Sequence, residues 1–358
     1  MNFNVSQLLE NVVNANASDL HISVGDPPYV RINTKLQPVA NAPALSLEDV
    51  NYFLSQLLEE DQLSILDVNR EIDFSVALGN KARFRVNAFY QKGAPAIALR
   101  LIPMKIPTLE SLHLPDVLTR LCDMKQGLFL VVGPTGHGKS TTIASMIERI
   151  NESRSEHIVT VEDPIEYIFT NKKSLIEQRE MYIDTHSWDV ALKSILRQDP
   201  NIVLIGEMRD VETMSAALHI SETGHLVFAT LHTNSASSTV ERIINSFPEN
   251  AQSQVRLQLA QSLEVIISER LLPSPEHGMV PATEIMLASD AIRNLIREGK
   301  PHMIDNVLAT SVTMGMMPLE RSLALLVDKG WVEEAEAIKY TLRPDELRRL
   351  LKLRKFNK

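Results

Sequence analysis

The first hundred residues combine helical and strand-like hydrophobic patterns. Apolar side chains recur every three or four positions over residues 5–13 and 46–66, and this spacing predicts two helices. Apolar and polar side chains alternate at five further places, which predicts strands: residues 18–24, 30–33, 72–78, 82–90 and 96–102. The pattern therefore predicts a small α+β domain, with a hairpin turn at Gly79-Asn80.

Several arginines share the polar face of these predicted strands. Arg83 and Arg85 alternate with apolar residues, so both project from the face opposite the apolar one. Arg100 occupies the same kind of position on the next predicted strand. Such a row is either a solvated sheet face or, beside a phosphate-binding domain, an anion-binding face. The pattern by itself leaves both interpretations open.

From Leu128 onward, short apolar runs alternate with helical patterns. This alternation predicts an α/β fold with a mostly parallel sheet that is covered by helices on both faces. The predicted strands are residues 128–132, 158–161, 202–205, 226–231 and 279–286, and the predicted helices include residues 188–196 and 250–267. From Ser289 the pattern is helical to the end of the sequence.

The stretch from Gly133 to Ser140, GPTGHGKS, carries the clearest chemistry. It follows an apolar strand and opens a helical pattern, which is the setting in which G-x-x-x-x-G-K-[ST] binds phosphates. Backbone N–H groups of such a loop face the anion, Lys139 reaches the β- and γ-phosphates, and the Ser140 hydroxyl coordinates Mg²⁺. We predict a bound nucleotide and Mg²⁺. The predicted nucleotide-binding residues are Gly133, Pro134, Thr135, Gly136, His137, Gly138, Lys139, Ser140 and Thr141.

Two of the predicted strands end in acidic residues. Glu162 and Asp163 end the first, where Pro164 biases Asp163 toward an extended conformation, and Glu207 follows the second. Ligands of open α/β sheets bind at the C-terminal ends of the strands, so we expect these carboxylates beside the nucleotide. Glu207 is predicted to hold Mg²⁺, directly or through water.

Two histidines, His225 and His232, flank the predicted strand at residues 226–231. A lone histidine at a strand end is usually incidental. Beside a γ-phosphate, however, a neutral imidazole can hydrogen-bond the phosphate or its waters. No third soft ligand lies nearby in the sequence, so we do not predict a metal site at these histidines.

Composition and charge narrow the function classes. The net charge of −9 argues against wrapping a nucleic acid backbone, which requires a basic surface. The single cysteine, Cys122, excludes an internal disulfide and a zinc site of several thiolates. No apolar run approaches the length of a bilayer span, and residues 1–16 lack the features of a signal peptide. We expect a cytoplasmic protein with no direct membrane insertion and no nucleic acid partner.

Taken together, the motifs resemble the secretion ATPase superfamily, and within it the type IV pilus retraction ATPases of the PilT/PilU family. The matching segments run along nearly the whole sequence. They are SDLH at 18–21, GDPP at 25–28, RFRVNAF at 83–89, the loop at 133–140, VEDPIEY at 161–167, residues 196–210, ETGHLVFATLHT at 222–233 and AIRNLIRE at 291–298.

The resemblance implies a homohexamer that hydrolyses ATP to ADP and phosphate and powers pilus retraction in twitching motility. It implies a RecA-like P-loop domain and a PAS-like α+β N-terminal domain. The implied partners are an inner-membrane pilus platform protein and a PilT/PilU paralogue. The expected location is cytoplasmic, peripheral to the inner membrane through the pilus machinery.

The resemblance also implies roles for individual residues. Glu162 would polarise the attacking water, and Glu207 would be the Walker B residue. The two histidines, His225 and His232, would form a histidine box. The arginines Arg85 and Arg100 would complete a nucleotide site from the N-terminal domain.

The predicted domain organisation follows from the motifs and from two prolines, Pro103 and Pro107, in a short connector. We predict an N-terminal α+β domain, a linker, a P-loop ATPase domain and a helical C-terminal region, with bounds of 1–102, 103–113, 114–288 and 289–358 respectively.

Three positions depart from the family pattern. Thr34 occupies a turn often held by Gly in the first domain, so we expect an altered hairpin there. Asn201 stands where the family signature usually has Asp, so we expect no essential carboxylate there. His137 replaces the usual Ser or Gly of the phosphate loop, and we expect little effect from this change.

Two other functions stay open. One is a pilus-assembly or type II secretion ATPase, which the missing zinc-type cysteines and the motif at 291–298 disfavour. The other is a non-motor ATP-dependent regulatory protein.

The basic run at residues 347–358 is either a solvated helix end or a docking patch. The sequence does not decide between a PilT and a PilU role.

Overall fold

The computed structural model describes residues 4–15, 17–32, 35–79, 81–102 and 105–355. Thr34, Asn80 of the predicted hairpin link and residues 103–104 of the predicted linker lie outside the described residues. The chain divides into two compact units. The N-terminal unit comprises Met1–Lys105 with Pro164–Ile168, and the ATPase unit comprises Ile106–Asp163 with Phe169–Lys358.

The described part of the N-terminal unit is built on an antiparallel sheet with the strand order β3-β2-β1-β6-β5-β4. The strands are β1 (Asp19–Ser23), β2 (Tyr29–Ile32), β3 (Lys35–Pro38), β4 (Glu71–Leu78), β5 (Ala82–Gln91) and β6 (Ala94–Ile102). All predicted strands are present. The short edge strand β3 was not predicted, because its four residues are all exposed and show no apolar alternation.

The helices of this unit are α1 (Val5–Asn14), α2 (Leu47–Leu57) and α3 (Glu60–Asn69). The single helix predicted over residues 46–66 is therefore wrong. Leu58 is extended, with ψ of 142°, and ends the first helix. Glu59 precedes the second helix, and its backbone N–H donates to the Gln62 side chain at 3.1 Å. A capping side chain inside a helical period can thus begin a second helix without disturbing the apolar spacing.

The core of the unit lies between the helices and one face of the sheet. Val12 of α1 and Phe53 of α2 are buried in the same cluster as Phe84 and Val86 of β5. Because side chains alternate along a strand, this packing leaves Arg85 on the opposite face.

The ATPase unit contains the mostly parallel sheet predicted from the alternating pattern. Its strand order, over the described residues, is β13-β12-β7-β11-β10-β8-β9. The strands are β7 (Gly127–Val132), β8 (His157–Glu162), β9 (Leu175–Glu180), β10 (Ile202–Ile205), β11 (Leu226–Leu231), β12 (Leu263–Ser274) and β13 (Gly278–Leu287). Only β12 and β13 pair antiparallel within this sheet.

Helices cover the sheet and continue through the C-terminal region. They are α4 (Val117–Leu121), α5 (Lys139–Ser153), α6 (Trp188–Ile195), α7 (Val211–Glu222), α8 (Ala236–Ser246), α9 (Glu249–Ser262), α10 (Asp290–Arg297), α11 (Ile304–Thr310), α12 (Leu319–Asp328), α13 (Glu334–Tyr340) and α14 (Pro344–Lys355). Two 3₁₀ turns, Pro301–Met303 and Val312–Met314, lie between them. The predicted fold class is confirmed.

The strand β12 corrects the prediction of one helix over residues 250–267. Helix α9 ends at Ser262, and the next residues form the longest strand of the sheet. Most of this strand is buried, so its apolar residues form a run instead of an alternation. A short apolar run next to a helix does not reveal its own period.

The C-terminal helices pack on the β12–β13 hairpin. Leu323 of α12 and Leu347 of α14 share a buried cluster with Leu272 and Val280 of the hairpin. The described residues contain no helix with the length and apolar composition needed to cross a bilayer.

Candidate phosphate-binding edge of the ATPase sheet

The phosphate loop begins where the buried strand β7 ends and leads directly into α5. Gly133 has φ of 147° and Gly138 has φ of 93°, and both conformations favour glycine. A Cβ at Gly133 would lie 2.4 Å from the Glu269 carbonyl oxygen, and a Cβ at Gly138 would lie 2.5 Å from Glu269 Oε1. The two glycines are therefore required by conformation and by the close approach of β12.

Lys139, the first residue of α5, is almost fully buried, with 7% of its surface exposed. Its Nζ donates to the carbonyl oxygens of Gly133 and Pro134, each at 3.0 Å, and lies 3.3 Å from His232 Nδ1. The ammonium group is thus held inside the curve of the loop, where a bound phosphate would replace the carbonyl contacts.

His232 joins the phosphate loop to Glu207. Its Nε2 lies 3.1 Å from Glu207 Oε1, and its Nδ1 lies 3.4 Å from Thr135 Oγ1 and 3.3 Å from Lys139 Nζ. A carboxylate accepts and an ammonium donates, so the partners specify a neutral ring with its proton on Nε2. The imidazole is therefore oriented from both sides.

Glu207 stands one residue beyond Gly206, after the end of β10. Its Oε2 accepts from Arg209 Nε at 2.8 Å, and Arg209 also lies 4.0 Å from Asp163 at the end of β8. The hydrogen bond to Glu207 raises the pKa of Arg209. Arg209 therefore offsets the negative charge of two neighbouring strand ends, a role that no sequence motif indicated.

Glu162 is the last residue of β8 and is buried. Its Oε1 accepts from Thr160 Oγ1 at 2.7 Å and from Gln178 Nε2 at 3.2 Å. The Cα of Glu162 would lie 3.2 Å from a Cβ at Gly206, so β8 and β10 end in close contact. Both predicted acidic strand ends therefore lie at the same edge of the sheet.

His225 is not brought to this edge. Its backbone carbonyl accepts from Gly127 N at the first residue of β7, and its Nδ1 contacts Thr223 Oγ1 at 3.0 Å and the Ile220 carbonyl at 3.1 Å. A strand of this length separates it from His232 by about 20 Å. The two residues of the implied histidine box therefore flank one strand at opposite ends within one chain.

Glu269 of β12 is a buried carboxylate that the sequence patterns did not single out. It is 2% exposed, and its Oε2 accepts from Thr142 Oγ1 in the first turn of α5 at 2.7 Å. Burial raises the pKa of Glu269 to about 7, although the bond from Thr142 and the charge of Lys139 act in the opposite direction. The sequence does not reveal this contact, because 127 residues separate Thr142 from Glu269.

His137 also has a specific contact. Its Nδ1 accepts from the backbone N–H of Leu271 at 2.9 Å, so the phosphate loop is tied to β12 by a side chain. Burial and the positive charges of Arg270 and Lys139 lower the pKa of His137, which keeps the accepting nitrogen unprotonated. The expectation that this residue has little effect remains untested, but the residue does not simply face solvent.

A cavity of about 220 Å³ adjoins the first turn of α5. The residues that line it include Gly138 and Thr141 of the phosphate-binding segment and the apolar Leu271, Met279 and Pro281. A nucleoside needs an apolar space of this kind next to a phosphate cradle.

The predicted Mg²⁺ ligands fit the chemistry of that ion. The Ser140 hydroxyl has no hydrogen-bond partner in the part of the chain that the structure describes, and Glu207 supplies carboxylate oxygen. The described residues contain no group of three or more His, Cys, Asp or Glu side chains able to hold a metal alone. Mg²⁺ in nucleotide sites is bound by few protein oxygens together with substrate phosphates, so this donor set is suitable.

The predicted arginines lie in the N-terminal unit, on one line across its sheet. The strand register places Arg85 opposite Arg100, Arg100 opposite Asp19, and Asp19 opposite Arg31. Arg100 Nε donates to Asp19 at 3.0 Å, and Arg31 Nε lies 3.3 Å from the same carboxylate. Burial would raise the pKa of Asp19, but hydrogen bonds from Ser18 and Arg100 outweigh it and lower that pKa. We call this line of residues the arginine row.

Comparisons with known proteins agree on one family. Residues 2–304 match the family described as Type II/IV secretion system protein. The chain is 42% identical over 333 residues to the type IV pilus retractation ATPase PilT of Pseudomonas aeruginosa, which spans 93% of this chain and 96% of the relative. It is 38% identical over 348 residues to the type IV pilus ATPase PilU of the same organism, with coverages of 97% and 91%.

A solved structure gives the same answer. The crystal structure of the pilus retraction motor PilT with bound ADP superimposes with a TM-score of 0.90 at 44% identity, covering 97% of this chain and 99% of that one. The chain belongs to the PilT family of type II/IV secretion ATPases. It is accordingly an ATP-hydrolysing enzyme.

The structure does not bring all of the predicted site residues together. The structure brings Lys139, Glu162, Glu207 and His232 to one edge of the ATPase sheet. Arg85 and Arg100 belong to the N-terminal unit, and His225 lies at the opposite end of its strand.

Proposed function

We propose that the chain is the subunit of a hexameric motor whose ATP hydrolysis pulls type IV pilus fibres back. The observation that carries the proposal is the hydrogen-bonded set of Lys139, His232 and Glu207 at the C-terminal edge of a PilT-type sheet. The PilT relatives, named for pilus retraction, support the direction of the force.

The phosphate loop binds the triphosphate. Lys139 leaves the carbonyl oxygens of Gly133 and Pro134 and turns to the β- and γ-phosphates, while backbone N–H groups at the start of α5 face the same charge. The cavity beside Thr141 accommodates the nucleoside.

Glu162 is the general base for the attacking water. Its Oε1 is held by Thr160 and Gln178, which fixes the orientation of the carboxylate before substrate binds. The burial of the group also excludes bulk water from the position where the proton is taken.

Ser140 and Glu207 would hold Mg²⁺ beside the phosphates, where the ion would supply positive charge to the transferred phosphoryl group. His232 donates its Nε2 proton to Glu207 and accepts from Lys139, so one side chain keeps the cation-binding carboxylate and the phosphate-binding lysine in fixed relation.

Arg85 and Arg100 supply positive charge to the phosphoryl group from the N-terminal unit. Arginine suits this task because its planar guanidinium neutralises several phosphate oxygens at once. Each cycle of ATP binding and hydrolysis then drives one mechanical step of the motor. The partners we propose are an inner-membrane platform protein and a PilT/PilU paralogue, with the ring at the cytoplasmic face of the inner membrane.

The test combines biochemistry and fibre dynamics. Purified wild type is expected to release phosphate from ATP at steady state, and Glu162→Gln is expected to lose turnover while it still assembles and binds nucleotide. In cells that carry the chain as their sole retraction ATPase, wild type should restore retraction and Glu162→Gln should leave fibres extended.

Each alternative function has its own outcome. Absence of fibres in a deletion strain, instead of loss of retraction, would identify an assembly or secretion motor. Absence of phosphate release by the wild-type ring would identify a regulatory protein. Retraction that requires a second paralogue would assign the auxiliary PilU-like role.

A further inference from the structure

Three polar side chains of the β12–β13 hairpin hold the turn between β11 and α8. The register places Ser268 opposite Glu284, and Arg270 lies two residues along on the same face of β12. Ser268 Oγ and Arg270 Nη2 both donate to the Asn234 carbonyl, each at 3.1 Å. Glu284 Oε1 accepts from the backbone N–H of Ala236 at 2.7 Å. Both ends of the turn are therefore fixed by one surface.

Burying the charged side chains of this hairpin has a large desolvation cost. Glu284 is 1% exposed and Arg270 is 6% exposed. Glu284 Oε2 and Arg270 Nη1 are buried without a hydrogen-bond partner among the described residues. An apolar pair of similar size would avoid that desolvation cost, so stability alone does not account for the two charges.

The turn that they hold carries His232. This residue directly follows β11, and Asn234 is only two residues further on. The imidazole must meet the phosphate loop with Nδ1 and Glu207 with Nε2 at the same time. Such two-sided contacts tolerate displacements of only about 0.5 Å, so the backbone of the turn decides whether both can form.

We propose that Arg270 and Glu284 are positioning residues for His232. They fix the backbone on the C-terminal side of the histidine, so that its ring lies between Lys139 and Glu207. The proposal rests on the role of His232 in the proposed function. It adds that this role depends on the hydrogen bonds of two buried side chains that lie outside the phosphate loop and are not among the predicted Mg²⁺ ligands.

The C-terminal helices share the surroundings of Glu284. Asp305 of α11 and Glu320 of α12 act on its charge, as does Arg343, which precedes α14. Arg343 lies 3.2 Å from Asp305 and 3.9 Å from Glu320. The charged contacts of the C-terminal helices therefore converge on the carboxyl group that holds the start of α8.

The experiment is a double-mutant cycle on steady-state ATP turnover by the full chain. Arg270→Leu keeps the aliphatic packing and removes the guanidinium. We expect it to lower kcat about tenfold with KM for ATP changed less than about twofold. In a His232→Ala background the same substitution should lower kcat by less than about twofold, because there is no ring left to position.

Two further variants keep the test decisive if Arg270→Leu does not fold. Ser268→Ala removes one of the two donors to Asn234, so a smaller loss with the same dependence on His232 is expected. Glu284→Gln retains an oxygen for the Ala236 N–H and should keep kcat within about twofold, whereas Glu284→Leu should lose about tenfold.

Asn151→Ala is the matched control. Asn151 is fully buried and bonds the Thr170 carbonyl at 2.8 Å and the Lys172 N–H at 3.0 Å, at the opposite end of α5 from Lys139. It should lower stability, and its small effect on kcat should be the same with and without His232.

The proposal would be overturned if Arg270→Leu lowered kcat by the same factor with and without His232. It would also be overturned if His232→Ala alone kept wild-type turnover. Turnover retained in both Lys139→Ala and Glu162→Gln would instead refute the proposed function, and the two failures are therefore distinguishable.

Discussion

The phosphate-binding edge and the arginine row differ in how their charges are satisfied. At the edge, Lys139, His232 and Glu207 bond to one another and to the loop carbonyls. In the row, Asp19 contacts Arg100 and Arg31, but Arg85 makes no hydrogen bond or ion pair within the described residues. Arg85 nevertheless stands directly opposite another arginine.

This difference separates a site whose charged groups bond to one another from a surface that includes an arginine without an ion-pair partner among the described residues. Like charges directly opposite each other destabilise an antiparallel pair, and only one of the two arginines has a carboxylate partner. An incoming phosphate at the ATPase edge must replace existing contacts. An anion bound at the arginine row would instead relieve the repulsion between Arg85 and Arg100.

The edge is tested most strongly by Lys139→Ala. Removing the ammonium inside the curve of the loop leaves the γ-phosphate charge without its principal counter-charge there, and we expect kcat/KM for ATP to fall by about 10³-fold or more. Phosphate release measures this. Lys172→Ala, which removes an exposed lysine paired with Glu148 and Glu152, should stay near wild type. Comparable losses in both variants would contradict a local role for Lys139.

The arginine row is tested by comparing Arg85 with Arg31. Arg85→Ala removes the arginine without a partner and should lower kcat about 10²–10³-fold if that charge acts on the phosphoryl group. Arg31→Ala removes an arginine from the same row that already has a carboxylate partner, and should change kcat less than about threefold. Equal effects would show that the row serves the stability of the sheet and not the reaction.

The two histidines give a contrast along one strand. His232→Ala should lower kcat about 10²-fold, since it separates Lys139 from Glu207. His225→Ala should change kcat less than about threefold, because the ring of His225 hydrogen-bonds Thr223 and Ile220, at the end of β11 away from the phosphate loop. A large loss from His225→Ala in isolated rings would indicate that a neighbouring subunit brings that histidine to a site.

The buried carboxylate under the loop gives a pH dependence of stability. The pKa of Glu269 is raised to about 7, so between its ordinary value and about pH 7 the folded state binds more protons than the unfolded state. Stability contributed by this group is therefore present at low pH and is lost as pH rises through about 7. Burial also raises the pKa of Glu284 to about 7, so the ionisation of Glu284 changes stability in the same direction.

Glu269→Gln should reduce that pH dependence. The amide keeps an oxygen for Thr142 but cannot ionise, so we expect the variant to gain about 2–3 kcal/mol over wild type at pH 8 and little at pH 5. Denaturant unfolding of nucleotide-free protein at both pH values measures this. An equal gain at both pH values would point to packing instead of ionisation.

Much of the fold and part of the site could be predicted from local pattern. The P-loop from Gly133 to Ser140, the strands that precede Glu162 and Glu207, and the polar face of Arg85 each follow from a few consecutive residues. The break at Leu58 and the strand β12 could not be predicted in this way. In both places the apolar spacing fits two secondary structures, and the choice depends on a capping contact or on neighbouring strands.

The sequence by itself determined which groups are present and roughly where each lies along its own strand or loop, because glycine conformations and apolar periods act over short stretches of chain. The tertiary structure alone decided which groups meet. Strand order sets β11 between β7 and β10, which brings His232 to Lys139 across 93 residues and leaves His225 at the far edge. It also sets β12 beside β7, so that Glu269 and Arg270 support two different loops, and no local period encodes that adjacency.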